Sequence, residues 1–526
     1  MAAEGGGGWN PERSAAAVGG PWLMTAIVSI ATFMEILDTS IANVALPSIA
    51  GNLGVSTDQG TWIVTTYLVA NAIIIPISGF LSRAIGRKRY FLISIALFSL
   101  SSLACALSPD LGTLLLARVL QGMGGGGLAP VEQSMIADSF PPQKRGQAFA
   151  AFGMVVVVAP IIGPTIGGYI TDTISWHWIF LINVPLGAVA FLLVSLLVAE
   201  PEALQRETRR LHRRGLKIDW IGFGLSAVGL AGLLIMLDRG QTEGWFDSTL
   251  IDVMAAMAVV GLGGMIVWEF RHPDPIVPLP LLLNRNFGIT ALLMLILGML
   301  VFGTIQIVPQ MLQQVFGFNA YHAGLALTYG GAIAIVGMPV SGQLVGRVDT
   351  RLLLFPAFAL QAFAFWYFSR FSVQSTFAGA AWGRFFISLG LPFLFIPINT
   401  VAYVGLKPGE ADKASAMLNF FRNLGGAFGI SLAQTLLARR EQFHQSRITE
   451  TLNGLNPTFT DAVGKLSGLD GGGRQTALAA IYREAQRQAA MLAYADVFHV
   501  LMWLVAVVLP LILVLRTRQS GSRPVR

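Results

Sequence analysis

Residues 22–48 read WLMTAIVSIATFMEILDTSIANVALPS. Roughly 20 mostly apolar residues suffice to cross the hydrocarbon core of a bilayer, and this stretch is longer than that. It also carries two carboxylates, Glu35 and Asp38, three residues apart. At that spacing they share one face of a helix. A charge at the centre of a span costs roughly 2.5–3.5 kcal/mol on insertion scales, so the face must point into the protein or a wet cavity. A carboxylate in such a place is a candidate for taking up and releasing protons. The plainer reading is that Asp38 hydrogen-bonds neighbouring helix ends and holds the span in place.

The rest of the chain keeps the same character. Of its 526 residues 54% are hydrophobic and 12% charged, with a mean hydropathy of +0.65. Soluble domains carry about 25% charged residues, so the surface is not one built for water. The net charge of +7 does not by itself imply nucleic acid, because the charges fall between apolar runs. Cys105 is the only cysteine, which excludes an intrachain disulfide. The first apolar run has almost no basic flank and no small-residue cleavage site, which argues against a signal peptide.

About fourteen runs reach spanning length. They lie near 22–48, 61–81, 90–107, 112–136, 147–170, 178–198, 218–237, 250–269, 287–314, 321–345, 352–369, 377–403, 414–437 and 496–515. Alternate connections are basic: 82–89 holds Arg83, Arg87, Lys88 and Arg89, and 199–217 holds Arg206, Arg209, Arg210, Arg213, Arg214 and Lys217. Lys144, Arg145, Arg271, Arg285, Arg347, Arg351, Lys407 and Lys413 continue the pattern, whereas the intervening short loops hold Arg239 and Arg370. By the positive-inside rule the basic loops are cytoplasmic. Both termini are then cytoplasmic, which demands an even number of spans. The exception in length is 438–494, on the outer side, which reads as polar helices around a break at Gly471, Gly472 and Gly473.

Two stretches recur in order. Gly79-Phe80-Leu81 leads to Gly86-Arg87-Lys88, as Gly342-Gln343-Leu344 leads to Gly346-Arg347; Arg118 then matches Arg384. The expected organisation is an all-α membrane protein: a tail (1–21), a six-helix half (22–198), a basic loop (199–217), two inserted helices (218–269), a second six-helix half (270–515, including 438–494) and a tail (516–526). Substrate held between two such halves is a common transporter plan.

Several motifs then resemble one family. Leu37-Asp38-Thr39-Ser40-Ile41-Ala42-Asn43-Val44-Ala45-Leu46-Pro47 is similar to the first-helix motif of the fourteen-span drug:proton antiporters of the major facilitator superfamily. Leu116-Ala117-Arg118-Val119-Leu120-Gln121-Gly122 resembles the fourth-helix motif, and Gly163-Pro164-Thr165-Ile166-Gly167-Gly168 the fifth-helix motif of exporters. Gln59-Gly60-Thr61-Trp62, the run from Trp178 to Pro185, and Leu237-Asp238-Arg239-Gly240 resemble EmrB-type pumps. Gly79, Gly86, Arg87 and Lys88 form the cytoplasmic loop motif, which here carries Arg83 where an acid is usual, so the resemblance does not supply its customary charge lock.

The resemblance implies a major facilitator fold and proton-driven export of small hydrophobic or amphipathic compounds, with no cofactor beyond the proton gradient. It implies a periplasmic adaptor and, through it, an outer-membrane channel as partners, with 438–494 a natural docking surface. Arg118 would control proton release from an acidic partner, since a guanidinium keeps its proton. Gly163, Pro164, Gly167 and Gly168 would kink and seal the fifth span. Glu35 and Glu132 are candidate proton carriers on physical grounds alone; Glu132 lies further along the helix of Arg118, where the alternative to a place in the proton path is to cap the cytoplasmic end. Arg384 and Arg422 read as structural.

For the substrate cavity the candidates are Asn43, Trp62, Tyr67, Asn71, Gln306, Gln310, Phe393 and Asn399, with Phe302, Met311 and Phe395, although most aromatic and Met residues in membranes face lipid or pack helices. The glycines of 122–127 do not make a phosphate loop, because no strand precedes them and no lysine-serine pair follows. Histidines show no metal spacing. No nucleophile and base cluster to suggest an enzyme, and no nucleotide-binding motif suggests a primary pump. The competing reading is an exporter of an endogenous metabolite or lipid that acts without an adaptor.

Overall fold

The computed structural model describes residues 20–213, 219–272, 275–318, 320–404, 406, 410–469 and 473–515. Almost all of the N-terminal tail, the C-terminal tail with its four arginines, and Arg214, Lys217, Lys407, Gly471 and Gly472 lie outside the described residues.

The chain opens with α1 (Pro21–Asn52), α2 (Thr57–Ile85), α3 (Arg87–Ala106), α4 (Leu111–Gly125), α5 (Leu128–Ser139), α6 (Pro142–Thr173), α7 (His177–Leu181) and α8 (Asn183–Leu197). Then come α9 (Glu202–Arg213) and the inserted pair α10 (Trp220–Arg239) and α11 (Thr249–Glu269). The second half is α12 (Arg285–Gln314), α13 (Ala320–Leu344), α14 (Thr350–Ser369), α15 (Phe377–Ala402), α16 (Ala411–Glu450), α17 (Pro457–Leu469) and α18 (Gly473–Val514).

Local chemistry sets the helix starts. Ser56 and Gln59 exchange hydrogen bonds as a capping box for α2, at 3.1 Å each way. Asp110 accepts from the backbone of Thr113 to begin α4, and Thr376 accepts from Gly379 to begin α15. Arg118 and Arg384 therefore stand at the same distance from their caps, which is the internal repeat seen in three dimensions. Gly86, with φ +97°, makes the sharp turn between α2 and α3.

Eleven helical segments among the described residues are long and apolar enough to cross a membrane: α1, α2, α3, α6, the α7–α8 pair, α10, α11, α12, α14, α15 and α18. Three of the fourteen expected runs are not in that set. The run 112–136 is split into α4 and α5 at Gly126 and Gly127. In α13 the apolar stretch is Gly330–Leu344, and α16 carries Arg422 and a polar outer half. Two readings of connections also change. Residues 199–217 contain a basic helix, α9, rather than loop alone, and α6 already starts at Pro142.

The first half packs α1 on α6 and α8, α2 on α4, and α3 on α4 and α8; the second packs α12 on α16, α13 on α15, and α14 on α15 and α18. The halves meet through α2 and α5 against α16, and through α6 against α13 and α15. The inserted helices pack on each other, and α10 also touches α2 and α16. Two motif stretches turn out to be one contact here. Arg239 donates to Thr61 at 2.7 Å and lies 5.3 Å over the Trp62 ring, and Thr65 donates to Asp238.

The stretch 438–494 forms helices. α16 runs on to Glu450, α17 follows, and α18 begins at Gly473. At 1.5 Å per residue a 40-residue helix is about 60 Å long, twice the roughly 30 Å hydrocarbon core, so about half of α16 stands clear of it. Asp496 accepts from Arg440 and contacts His444 at 2.7 Å, tying α18 to α16. Arg487 donates to the Val315 carbonyl, fixing the base of this hairpin to the bundle.

Candidate functional site: charges held on the opening helix

Glu35 and Asp38 do not act as one pair. Asp38 is 2% exposed and turns into the first half. Its Oδ2 accepts from Arg118 Nη1 at 2.7 Å, and its Oδ1 from Gln121 at 2.9 Å and Asn183 at 2.7 Å. Arg118, fully buried, also donates to the Ile63 carbonyl at 3.0 Å and to Gln121 Oε1 at 2.7 Å. Its guanidinium lies 4.2 Å over the Tyr67 ring and 5.5 Å from that of Phe180, contacts that favour a desolvated cation. Asn183 further donates to Ser102 at 3.0 Å, and Cys105 points its thiol at Gln121. Helices α1, α2, α4 and α8 thus converge on one ion pair in which both Asp38 oxygens are bonded, while Arg118 Nη2 is left without a hydrogen-bond partner.

Glu35 is held far more lightly. Asn71 donates to its Oε1 at 3.0 Å, while Oε2 is buried without a hydrogen-bond partner. Its electrostatic neighbours include Asp38 and, across the seam between the halves, Arg422 of α16. Arg422 leaves Nε and Nη1 without hydrogen bonds.

Glu132 is not on the helix of Arg118 and does not cap an end. It sits on α5, after the break, fully buried, and accepts from the hydroxyls of Ser29 and Thr32 on α1. Its carboxylate and that of Glu35 are also electrostatic neighbours. The adjacent Gln133 faces the other way and accepts from Asn419 of α16 at 2.7 Å.

A charge lock exists despite Arg83. Arg87 Nη2 bridges Asp138 of α5 at 3.0 Å and Asp412 of α16 at 2.9 Å, and its backbone N–H donates to Glu200 at 2.6 Å. A Cβ on Gly79 would come within 2.9 Å of the Asp412 carbonyl oxygen, so glycine sets how closely α2 approaches α16. Lys88 is engaged elsewhere, donating to the Ser195 carbonyl at 2.7 Å. Stacked rings add to this closure, Phe149 on Tyr403 at 5.5 Å and Phe152 on Phe395 at 6.0 Å. The halves are joined toward the end that carries the basic connections, whereas Asn43 and Gln306, nearer the other end, are exposed.

The fifth-span motif works at the α1–α6 contact. A Cβ on Gly163 would lie 2.5 Å from Ser40 Oγ, and one on Gly167 2.8 Å from Ile41 Cγ2, whereas Gly168 has room, with Val44 4.0 Å away. Pro164 cannot donate to the Pro160 carbonyl, and Ser40 Oγ donates to that oxygen instead at 3.3 Å.

The expected cavity residues scatter. Asn71 holds Glu35. Tyr67 is buried against Arg118, and the half-buried Trp62 packs against Arg239. Gln310 accepts from Gln434 inside the second half, Asn399 donates to its own helix at Phe395, Met311 is buried, and Phe393 packs against the core of the second half. Asn43, Gln306 and Phe302 are exposed. Arg384, the repeat partner of Arg118, has Nε and Nη1 unbonded. The residues missed from the sequence are mostly partners: Gln121, Asn183, Ser29, Thr32, Asp138 and Asp412. A polar residue in an apolar run was the available signal for Asn183; nothing pointed to Asp412.

Membrane-length helices in two repeated halves, with ionisable side chains bonded between helices in the apolar interior, define an α-helical membrane transporter. The chain matches the Major Facilitator Superfamily over residues 28–430. It is 42% identical to the multidrug export protein EmrB of Escherichia coli K12 over 85% of this chain and 86% of that one. It is 37% identical to the fatty acid resistance protein FarB of Neisseria gonorrhoeae, covering 84% and 86%. The human organic anion transporter MFSD10 has the same fold, with a TM-score of 0.59 at 14% identity, covering 92% and 99%. The chain belongs to the Major Facilitator Superfamily, in the group that contains the EmrB exporters.

Proposed function

We propose that this protein exports small hydrophobic or amphipathic compounds, drugs among them, across a bacterial inner membrane in exchange for protons. It does so by alternating access between its halves, with fourteen crossings and both termini cytoplasmic. The observation that carries the proton coupling is the contrast on α1: Asp38 is saturated by Arg118, Gln121 and Asn183, whereas Glu35 keeps one carboxylate oxygen unbonded beside the seam. A proton carrier must change state without dismantling its surroundings, and Glu35 meets that condition. Glu132 serves as a second acid reached through Ser29 and Thr32, while Arg118 is a fixed charge. The name of the EmrB relative supports the substrate class.

The test is dye transport into vesicles driven by an imposed pH gradient. Glu35→Gln is expected to abolish gradient-driven accumulation and its pH dependence while dye binding persists. Undiminished uphill transport by this variant would remove Glu35 from the coupling.

We also infer that the helical hairpin of 438–494 docks a periplasmic adaptor leading to an outer-membrane channel. Its reach beyond the bilayer and the exposed Phe443, Leu455 and Tyr482 support this reading. Deleting 445–490 is expected to leave vesicle transport intact and abolish co-purification with the adaptor. Retained adaptor binding refutes the docking role.

A further inference from the structure

A cavity of about 700 Å³ lies at the basic end, outside the transport seam, where α9 folds back over the last turns of α2 and the start of α3. Its wall is apolar, formed by Phe80, Leu81, Ala84 and Ile85 of α2. Its rim is cationic: Arg89 of α3 and Arg209 and Arg213 of α9 are exposed around it. Among the described residues these three guanidiniums form no ion pair, whereas Arg206 is paired with Glu202 at the start of α9 and Lys88 is bonded to Ser195. The rim is fixed in place, because Thr208 Oγ1 donates to the Arg83 carbonyl at 3.1 Å and Gln205 to the Glu200 carbonyl at 2.9 Å.

We propose that this groove binds an acidic phospholipid of the surrounding bilayer, its phosphate between Arg89, Arg209 and Arg213 and the first part of an acyl chain along α2. The chemistry on each side selects that ligand. The wall belongs to the end of a membrane-spanning helix, where acyl chain is the available apolar partner. Three unpaired guanidiniums at the water boundary match an anionic phosphodiester, and they favour a lipid of net negative charge over a zwitterionic one, whose own ammonium offsets its phosphate. The volume falls within the 300–1,000 Å³ of ordinary small-molecule sites. Bound there, the lipid clamps α9 to the first half; the site is independent of Glu35 and of any proton coupling.

The full-length protein in phosphatidylcholine vesicles with a minor fraction of phosphatidylglycerol, released into native mass spectrometry, tests this. Phosphatidylglycerol is expected to be retained above its bulk fraction. Each guanidinium removed in the series Arg89→Gln, Arg209→Gln, Arg213→Gln is expected to weaken retention about fivefold, which is about 1 kcal/mol. All three side chains are exposed, so the variants are expected to fold. Equal retention of the two lipids, or retention unchanged in the triple variant, overturns the proposal. So does full displacement by inorganic phosphate, which would make the site one for a soluble anion.

Discussion

Asp38 and Glu35 are the same kind of group three residues apart, and their partners give them different work. Asp38 neutralises a fully buried guanidinium. Breaking such a pair by removing one partner leaves a charge uncompensated and costs about 3–5 kcal/mol. Asp38→Asn is therefore expected to lower the thermal unfolding midpoint in detergent markedly and to lose transport with it. Glu35→Gln exchanges one contact with Asn71 for a similar one, so its midpoint is expected to stay near that of the parent protein. Equal destabilisation by the two substitutions would contradict this division of roles. With bonded partners on α2, α4 and α8, Arg118 and Asp38 hold the first half together.

At the scale of elements, α1 and α6 show how a sequence motif becomes a joint. Gly163 and Gly167 bring the helices into contact, and Ser40 takes over the carbonyl that Pro164 leaves open. Gly163→Ala and Gly167→Ala are each expected to cost about 1–3 kcal/mol from overpacking and to slow transport, because Ser40 Cβ and Ile41 belong to the helix wall and have little room to yield. Gly168→Ala is expected to be silent in thermal unfolding and in transport. If all three behave alike, the motif acts through helix flexibility rather than through this contact. The split of α4 from α5 has a similar logic. α5 carries Glu132 toward α1, and Gln133 and Asp138 toward partners that reach α16, so one short helix touches a buried acid and the closed end together.

For the whole molecule, the lock of Arg87, Asp138 and Asp412 holds the halves at the basic end. Asp412→Asn removes one arm, and the population closed at that end is expected to fall. Spin labels placed on the basic ends of α3 and α16 in a Cys105→Ser background report this as longer inter-label distances; an unchanged distribution would mean that the ring contacts and helix packing suffice for closure. The lack of an acid at Arg83 therefore does not leave this end unlocked. The acids come from α5 and from the other half of the chain.

The amino-acid sequence by itself determined the solvent, the helical class, the repeat and the family, because apolar length, basic loops and motif order are properties of local stretches. It also marked Asp38, Arg118, Glu35 and Glu132, since an ionisable residue in an apolar run is costly wherever it ends up. Residue partnership was decided only by tertiary structure. Glu35 and Asp38 lie within one turn of a single helix yet face different neighbours, and which of them is saturated depends on Gln121 and Asn183, 83 and 145 residues away. Trp62, Tyr67, Gln310 and Asn399 read as cavity residues, and in this structure their partners are Arg239, Arg118, Gln434 and the Phe395 carbonyl: a polar or aromatic side chain in a membrane needs some partner, and only the packed bundle says which one it finds.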